Sequence, residues 1–106
     1  MTYNINCIHA QLYERSALRF AKDKAGKEIK FQTMTFKVPR QNPKENEKTA
    51  VDYITMEASA DAIDFADKFI PLFDWCMVDF ALRSFQSKDG KKFEKKVVTA
   101  IYPVKP

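Results

Sequence analysis

The chain has 106 residues, 45% of them hydrophobic and 30% charged, with a formal net charge of +4. That length suits one domain, because a second would have too little apolar surface to bury, and the composition is that of a soluble globular protein rather than a disordered one. No apolar run approaches the roughly 20 residues that span a bilayer, and the opening Met-Thr-Tyr-Asn-Ile-Asn lacks the basic and apolar regions of a signal peptide.

Two cysteines, Cys7 and Cys76, and a single histidine, His9, are too few for a structural zinc site, and there is no C-x-x-C. They read as reduced thiols in an intracellular, cytoplasmic protein. Charge is unevenly spread. Residues 57–79 hold Glu57, Asp61, Asp64, Asp67, Asp74 and Asp79 against Lys68, a net of −5 that leaves +9 for the rest of a +4 chain. Such a molecule has a directional field with a basic remainder.

Taken in chain order, residues 3–13 predict a strand, with Tyr3, Ile5 and Cys7 on one parity and Ile8, Ala10 and Leu12 on the other. The parity change at Cys7–Ile8 implies a bulge there or burial on both faces. Arg15–Ala21 continues the strand after a bend, and the polar Lys22–Lys27 with Gly26 predicts a hairpin turn. Residues 28–38 form the next strand, where Ile29 and Phe31 lie on one parity and Met34, Phe36 and Val38 on the other, implying a second bulge. Residues 39–50, with two prolines and high charge, read as a long loop.

Val51–Ala58 alternates, placing Ile54 and Met56 inward and Tyr53 outward. Ser59 then caps a helix over Ala60–Ile70, with Asp61 and Asp64 in its opening turns and Ile63, Ala66 and Phe69/Ile70 on its apolar face. Pro71 ends it. Phe65, Phe69, Phe73 and Trp75 read as helix packing and the corner into the next strand. Met77–Gln86, with Val78, Phe80 and Leu82 inward, and Lys92–Val104, with Val97, Thr99 and Ile101 on one parity, flank an Asp89-Gly90 turn, a strong hairpin signal. Strand, strand, strand, helix, strand, strand with curled strands predicts a mainly β fold. It describes a five-stranded oligonucleotide/oligosaccharide-binding (OB) barrel over residues 1–106, with the helix between the third and fourth strands and a projecting last hairpin. A β-grasp or other α+β roll has the same element list.

Enzyme chemistry finds no support: there is no nucleophilic triad, no phosphate-binding glycine loop, no implied cofactor or metal, and the carboxylates at 61, 64 and 67 read as a solvated helix face. Binding chemistry is better represented. Single strands are held by cations tracking the phosphates and by aromatic rings on which bases stack. Cations and rings alternate here in Arg19-Phe20, Lys30-Phe31, Phe36-Lys37, Arg83-Ser84-Phe85 and Lys92-Phe93. Electrostatic capture is assigned to Arg19, Lys30, Lys37, Arg83, Lys92 and Lys96, and stacking to Tyr53, Phe85 and Phe93. Pairing through a two-residue Asp89-Gly90 turn puts Arg83, Phe85 and Lys96 on one face of the hairpin and Phe93 and Lys95 on the other, with at least one ring exposed.

Three blocks carry a family resemblance: Arg19-Phe20 followed by Gly26-Lys27-Glu28-Ile29-Lys30-Phe31; Asp52-Tyr53-Ile54-Thr55-Met56 with the helix residues Ala62, Ala66 and Phe69; and Ala81-Leu82-Arg83-Ser84-Phe85, Gly90, Phe93, Val97-Val98. In order and spacing the chain resembles the bacterial and phage-type single-stranded DNA-binding proteins over about residues 3–104. The resemblance implies an OB fold, a non-enzymatic coating role on single-stranded DNA in replication or recombination, and a homo-oligomer, dimer or tetramer. It also implies replication or recombination proteins as partners, no membrane, and base-stacking positions at Tyr53, Phe85 and Phe31 with Arg83 on phosphate. The family's usual tryptophans in strands two and three are missing, Tyr53 being the nearest substitute. The family's acidic-tipped tail is also missing, since the sequence ends at Val104-Lys105-Pro106, which suits a short phage- or plasmid-encoded member in a host cytoplasm. An OB-fold protein-interaction module and a primosome-type or RNA-binding OB protein stay open as alternatives.

Overall fold

The computed structural model describes residues 6–40 and 50–104; the predicted strand residues Tyr3 and Ile5 and most of the predicted 39–50 loop lie outside them. The elements are β1 (Asn6–Arg15), β2 (Arg19–Lys22), β3 (Glu28–Pro39), β4 (Val51–Ser59), α1 (Ala60–Phe69), β5 (Trp75–Gln86) and β6 (Lys92–Pro103). The sheet runs β1-β5-β6-β4-β3-β2 and closes through an additional β1–β3 pairing. Only β4–β6 is parallel. With β2 as the continuation of β1 beyond a bend, this is the five-stranded OB barrel with its helix ahead of β5. No helix among the described residues is long and apolar enough to cross a membrane.

The core is filled from alternate positions of each strand: Ala10 and Leu12 from β1, Met34 and Phe36 from β3, Met56 and Ala58 from β4, Cys76, Val78 and Phe80 from β5, and Val98 and Ile101 from β6. Helix α1 covers one end with Ala62, Ile63 and Ala66, and Ile70 just past its end is buried with them. Ser59 sits at the N-cap in an extended conformation, without a side-chain capping bond. Phe69 departs from the expected apolar face: its ring is more than half exposed and packs on Phe65 at 4.7 Å between centroids.

The bulges are not where alternation suggested. β1 runs in continuous register with β5 through Cys7 and Ile8, and its pairing with β3 shifts instead between Leu12 and Glu14. β3 pairs with β4 without interruption from Phe31↔Ser59 to Pro39↔Val51. Its inward parity is simply Gln32, Met34 and Phe36, so Ile29 and Phe31 face outward. A glutamine at a core position broke the apolar pattern. Gln32 is the buried polar residue among the described ones, and both its amide oxygen and its amide nitrogen are hydrogen-bonded. Its Oε1 accepts from Arg15 Nε at 2.8 Å and its Nε2 donates to the Ser16 carbonyl at 2.7 Å. Arg15 also reaches Asp67 of α1, Nη2 to Oδ1 at 2.7 Å.

The two short hairpins share one turn. Gly26 and Gly90 both have positive φ, 81° and 85°, a region glycine enters without steric cost. Asp23 N donates to the Lys27 carbonyl and Gly26 N to the Asp23 carbonyl; Ser87, Lys91 and Gly90 repeat both bonds. The β5–β6 turn therefore spans Ser87–Lys91 and pairs Gln86 with Lys92. This is one residue out from a two-residue Asp89-Gly90 turn. A second shift, between Asp79 and Phe80, brings β6 back into phase for the barrel and puts Ile101, not Thr99, inside.

Both cysteines are free, Cys7 exposed and Cys76 buried. Burial, with the nearby Asp74 carboxylate, pushes the Cys76 thiol up to about 11, and a hydrogen bond from Cys7 to Asp79 raises the exposed thiol too. A raised folded value means the native state holds its proton more tightly. The stability linked to Cys76 is therefore complete below the ordinary value of 9.0 and is lost as pH rises through about 11. Titration with a thiol-reactive dye at pH 8 should label one thiol per native chain, Cys7, with Cys76 reacting only in denaturant. Gln32→Met, which fits the space but leaves the Ser16 carbonyl and Arg15 Nε without the partners Gln32 gives them, should cost about 1–3 kcal/mol. Thermal unfolding should register that as a midpoint lowered by roughly 5–15 °C.

Candidate functional site

The pleat sorts the side chains of β2, β3 and β4 into a core face and an outer face, and the outer face carries the candidate residues. Arg19 on β2 stands opposite Phe31 on β3. Its guanidinium lies over the Phe31 ring at 4.8 Å, and its Nη2 donates to Thr33 Oγ1 at 2.7 Å. The guanidinium plane, not the half-buried ring beneath it, is thus the surface offered outward, and such a plane stacks on bases as a ring does. Further along, Lys37 lies between Gln11 of β1 and Tyr53 of β4. Tyr53 is 54% exposed, as its outward parity implies. Between these ends the face is small and polar, with Thr35 and Thr55 hydrogen-bonded across the strands at 3.2 Å.

The β5–β6 hairpin adds an arm. Among the described residues, β1 pairs with β5 as far as Phe80, and β4 pairs with β6 at Glu57↔Val97 and Ala58↔Val98. Past these pairs, among the described residues, β5 and β6 pair with each other over 81–86 and 92–96. Leu82, expected inward, is 39% exposed. The observed register sets Phe85 directly opposite Phe93 and Arg83 opposite Lys95. The expected arrangement is corrected accordingly: Phe93 and Lys95 share the Phe85 face, and Lys96 lies on the reverse, opposite Leu82. A one-residue change in register inverts every side chain of a strand, and the five-residue turn supplies it. The two rings are stacked, 5.5 Å apart with 19° between planes, and are 39% and 45% exposed. They do not cap the barrel end.

Lys95 was not among the expected site residues. Its Nζ sits 5.3 Å from the Phe85 centroid and 3.6 Å from Glu57 Oε2. That carboxylate pair is exposed on both sides and is worth little in water. The outer face therefore gathers Arg19, Phe31, Lys37, Tyr53, Arg83, Phe85 and Phe93, with Lys95 added. Lys30 does not join them. It bonds Asp64 Oδ1 of α1 at 2.5 Å, as its core-side parity requires. Lys92 and Lys96 are exposed on the reverse of the arm. The acidic helix is accordingly less of a free negative pole than its composition implied, since Asp64 and Asp67 are taken up by Lys30 and Arg15. An open hollow of about 540 Å³ lies between the β2–β3 hairpin and the start of α1, lined in part by Phe20, Lys27, Ile29, Phe31 and Val97.

Phe73 and Trp75 are also corrected. Neither is corner packing: Phe73 is 58% exposed and Trp75 is 42% exposed. Tyr13, which sequence reasoning passed over, packs on Tyr53 with centroids 5.1 Å apart. Its position follows from the bulge in β1, which nothing in the alternation marked.

No protein-family model matches the chain, and no curated protein sequence matches it. Solved structures match in fold at low identity. The dimeric N-terminal domain of PriB from Thermoanaerobacter tencongensis is 18% identical, with 97% of this chain and 98% of that one covered at a TM-score of 0.62. PriB from Ralstonia solanacearum is 14% identical, with 97% and 100% covered at 0.64. The Plasmodium falciparum SSB, solved in complex with ssDNA, is 11% identical, with 99% and 97% covered at 0.62. Along nearly its whole length, the chain thus has the OB fold seen in PriB and in SSB-type single-stranded DNA-binding proteins.

Proposed function

We propose that this chain is a non-enzymatic protein that binds single-stranded DNA independently of sequence, on the outer face of β3 and β4 and along the β5–β6 arm. It would coat the strand during phage or plasmid replication or recombination in a host cytoplasm, as a dimer or tetramer. The observation that carries this reading is the stacked, half-exposed Phe85–Phe93 pair, flanked by Arg83 and Lys95 on the face it shares with Tyr53. Stacked rings beside cations suit a polymer with a charged backbone and flat, weakly distinguished bases. Two further observations support it. The fold is shared with a protein solved on ssDNA, and Arg19, Lys37 and Arg83 enter no ion pair among the described residues, so their charge is available to phosphates.

In this mechanism Arg19, Lys37, Arg83 and Lys95 draw in the phosphates, and bases then settle on Tyr53, on the Phe85–Phe93 pair and on the Arg19 guanidinium above Phe31. Lys30, Lys92 and Lys96 act at longer range, through the general field. The decisive measurement is fluorescence anisotropy of a labelled ~30-mer oligo-dT against a duplex of the same length over a range of salt. Tighter single-strand binding, partly retained at higher salt, is the expected result. Equal binding of both forms that disappears with salt would reduce the basic face to nonspecific attraction. Phe85→Ala should weaken oligo-dT binding by about 1–3 kcal/mol with the salt slope unchanged. Lys95→Ala should lower the slope by about 0.7, the value expected for one single-strand phosphate contact, and Lys96→Ala should lower it less. The reverse order would mean the arm engages DNA through its other face.

A further inference from the structure

Three exposed rings lie in a row on the outer face, running from β4 to β1 and the turn before β5. Tyr53 packs on Tyr13 at 5.1 Å between centroids, and Tyr13 meets Phe73 edge-on at 6.1 Å. Two irregularities bring them together. Tyr13 sits where the β1–β3 register shifts between Leu12 and Glu14, and bulges of this kind re-aim a side chain. Phe73 has φ 73°, a left-handed conformation that is rare for a bulky residue and strained.

The strained turn is held from several sides. Phe73 N donates to the Leu12 carbonyl at 2.6 Å, Leu12 N donates to the Asp74 carbonyl at 3.0 Å, and Gln11 Nε2 donates to the Phe73 carbonyl at 2.6 Å. Glycine would occupy this backbone without strain, and the ring is too exposed to serve the core. Neither the turn nor the packing accounts for a phenylalanine here. Past Phe73 the surface opens into a hollow of about 440 Å³ lined by Phe73, Trp75, His9, Asp74, Pro103 and Val104. Trp75 rests on His9 at 5.1 Å. Lys37, beside Tyr53 in the register, enters no ion pair among the described residues.

We propose that Tyr53, Tyr13 and Phe73, leading to Trp75, form a second base-stacking track. It carries single-stranded DNA off β4, across the bulge of β1 and onto the start of β5. The inference rests on the single-stranded DNA reading above and extends its path. Continuity decides the occupant: Tyr53 belongs to the same outer face as the arm, four residues along β4 from Glu57, about 13 Å at strand rise. The unpaired Lys37 supplies the charge a phosphate needs there.

Trp75 is the single tryptophan of the chain, so its fluorescence reports the far end of the track. A ~30-mer oligo-dT should quench it. Phe73→Gly should weaken oligo-dT binding about tenfold by anisotropy, with the salt slope unchanged and the unfolding midpoint no lower than that of the parent chain, since the strain is removed. If the midpoint falls, Tyr13→Ser is the second variant, with the same expected loss. Combined with Phe85→Ala, the losses should multiply, as for separate sites. Parent affinity in both variants, with no quenching in the parent chain, would overturn the track and leave the arm's role standing. Unchanged DNA affinity with a smaller sedimenting species would also overturn it, assigning the rings to a second copy of this chain. No oligo-dT binding by the parent chain would overturn the DNA reading itself.

Discussion

The barrel depends on a clamp at the bend between β1 and β2. Ser16 N donates to the Thr33 carbonyl at 2.9 Å, Thr33 N donates to Ser16 Oγ at 3.0 Å, and Gln32 Nε2 takes the Ser16 carbonyl. A strand that closes a barrel must leave one neighbour and run on beside another, which exposes its backbone groups where it bends. Here the side chains of Ser16 and Gln32 satisfy them. Gln32 also holds Arg15, which holds Asp67 of α1, so one buried amide ties the bend to the helix that covers the core. β2 then projects past the clamp and carries Arg19 to Phe31.

Register is the second constraint, and it bears on the binding face directly. The five-residue turn at Ser87–Lys91 sets Phe85 opposite Phe93. With a turn one residue shorter, the rings would point to opposite sides of the arm and could not stack. The later shift between Asp79 and Phe80 lets Val98 and Ile101 both reach the core despite their odd spacing. The hairpin thus satisfies two phases, one for the core and one for the arm, with an irregular residue between them.

Much of this was legible in the sequence. Element order, the stop at Pro71, the inward Ile54 and Met56, the outward Tyr53 and the aromatic hairpin all follow from parity and turn chemistry, and they describe an OB barrel. What was not legible has physical causes. Gln32 occupies a core position because its amide oxygen and nitrogen each find a partner, and this hid the alternation of β3 and made Phe31 look misplaced. Asp89-Gly90 marks a hairpin without fixing its length, so the partners of Phe85 were misjudged and Lys95 was missed. Tyr13 and Phe73 depend on a bulge and a left-handed phenylalanine, and neither leaves a trace in residue type. Sequence pattern reports which face a residue takes only while the strand stays regular, and the rings in question sit where it does not.

The cations near the rings show how capture and stacking are coupled. Lys30 and Arg15, which face the helix, are neutralised within the molecule by Asp64 and Asp67. On the outer face Arg19 and Lys95 are held over Phe31 and Phe85 instead, by an attraction of about 0.5–1 kcal/mol at exposed sites. An attraction that small keeps the charge positioned without consuming it. When a base takes the open face of the Phe85–Phe93 pair, Lys95 has only its weak pair with Glu57 to surrender before it turns to the adjoining phosphate. In the proposed mechanism the same side chains therefore serve twice, first as long-range attraction that salt screens over about 10 Å, and then as short contacts beside stacked bases that salt affects far less. The strength of the coat would be set by the rings, and its speed of formation by the cations that sit on them.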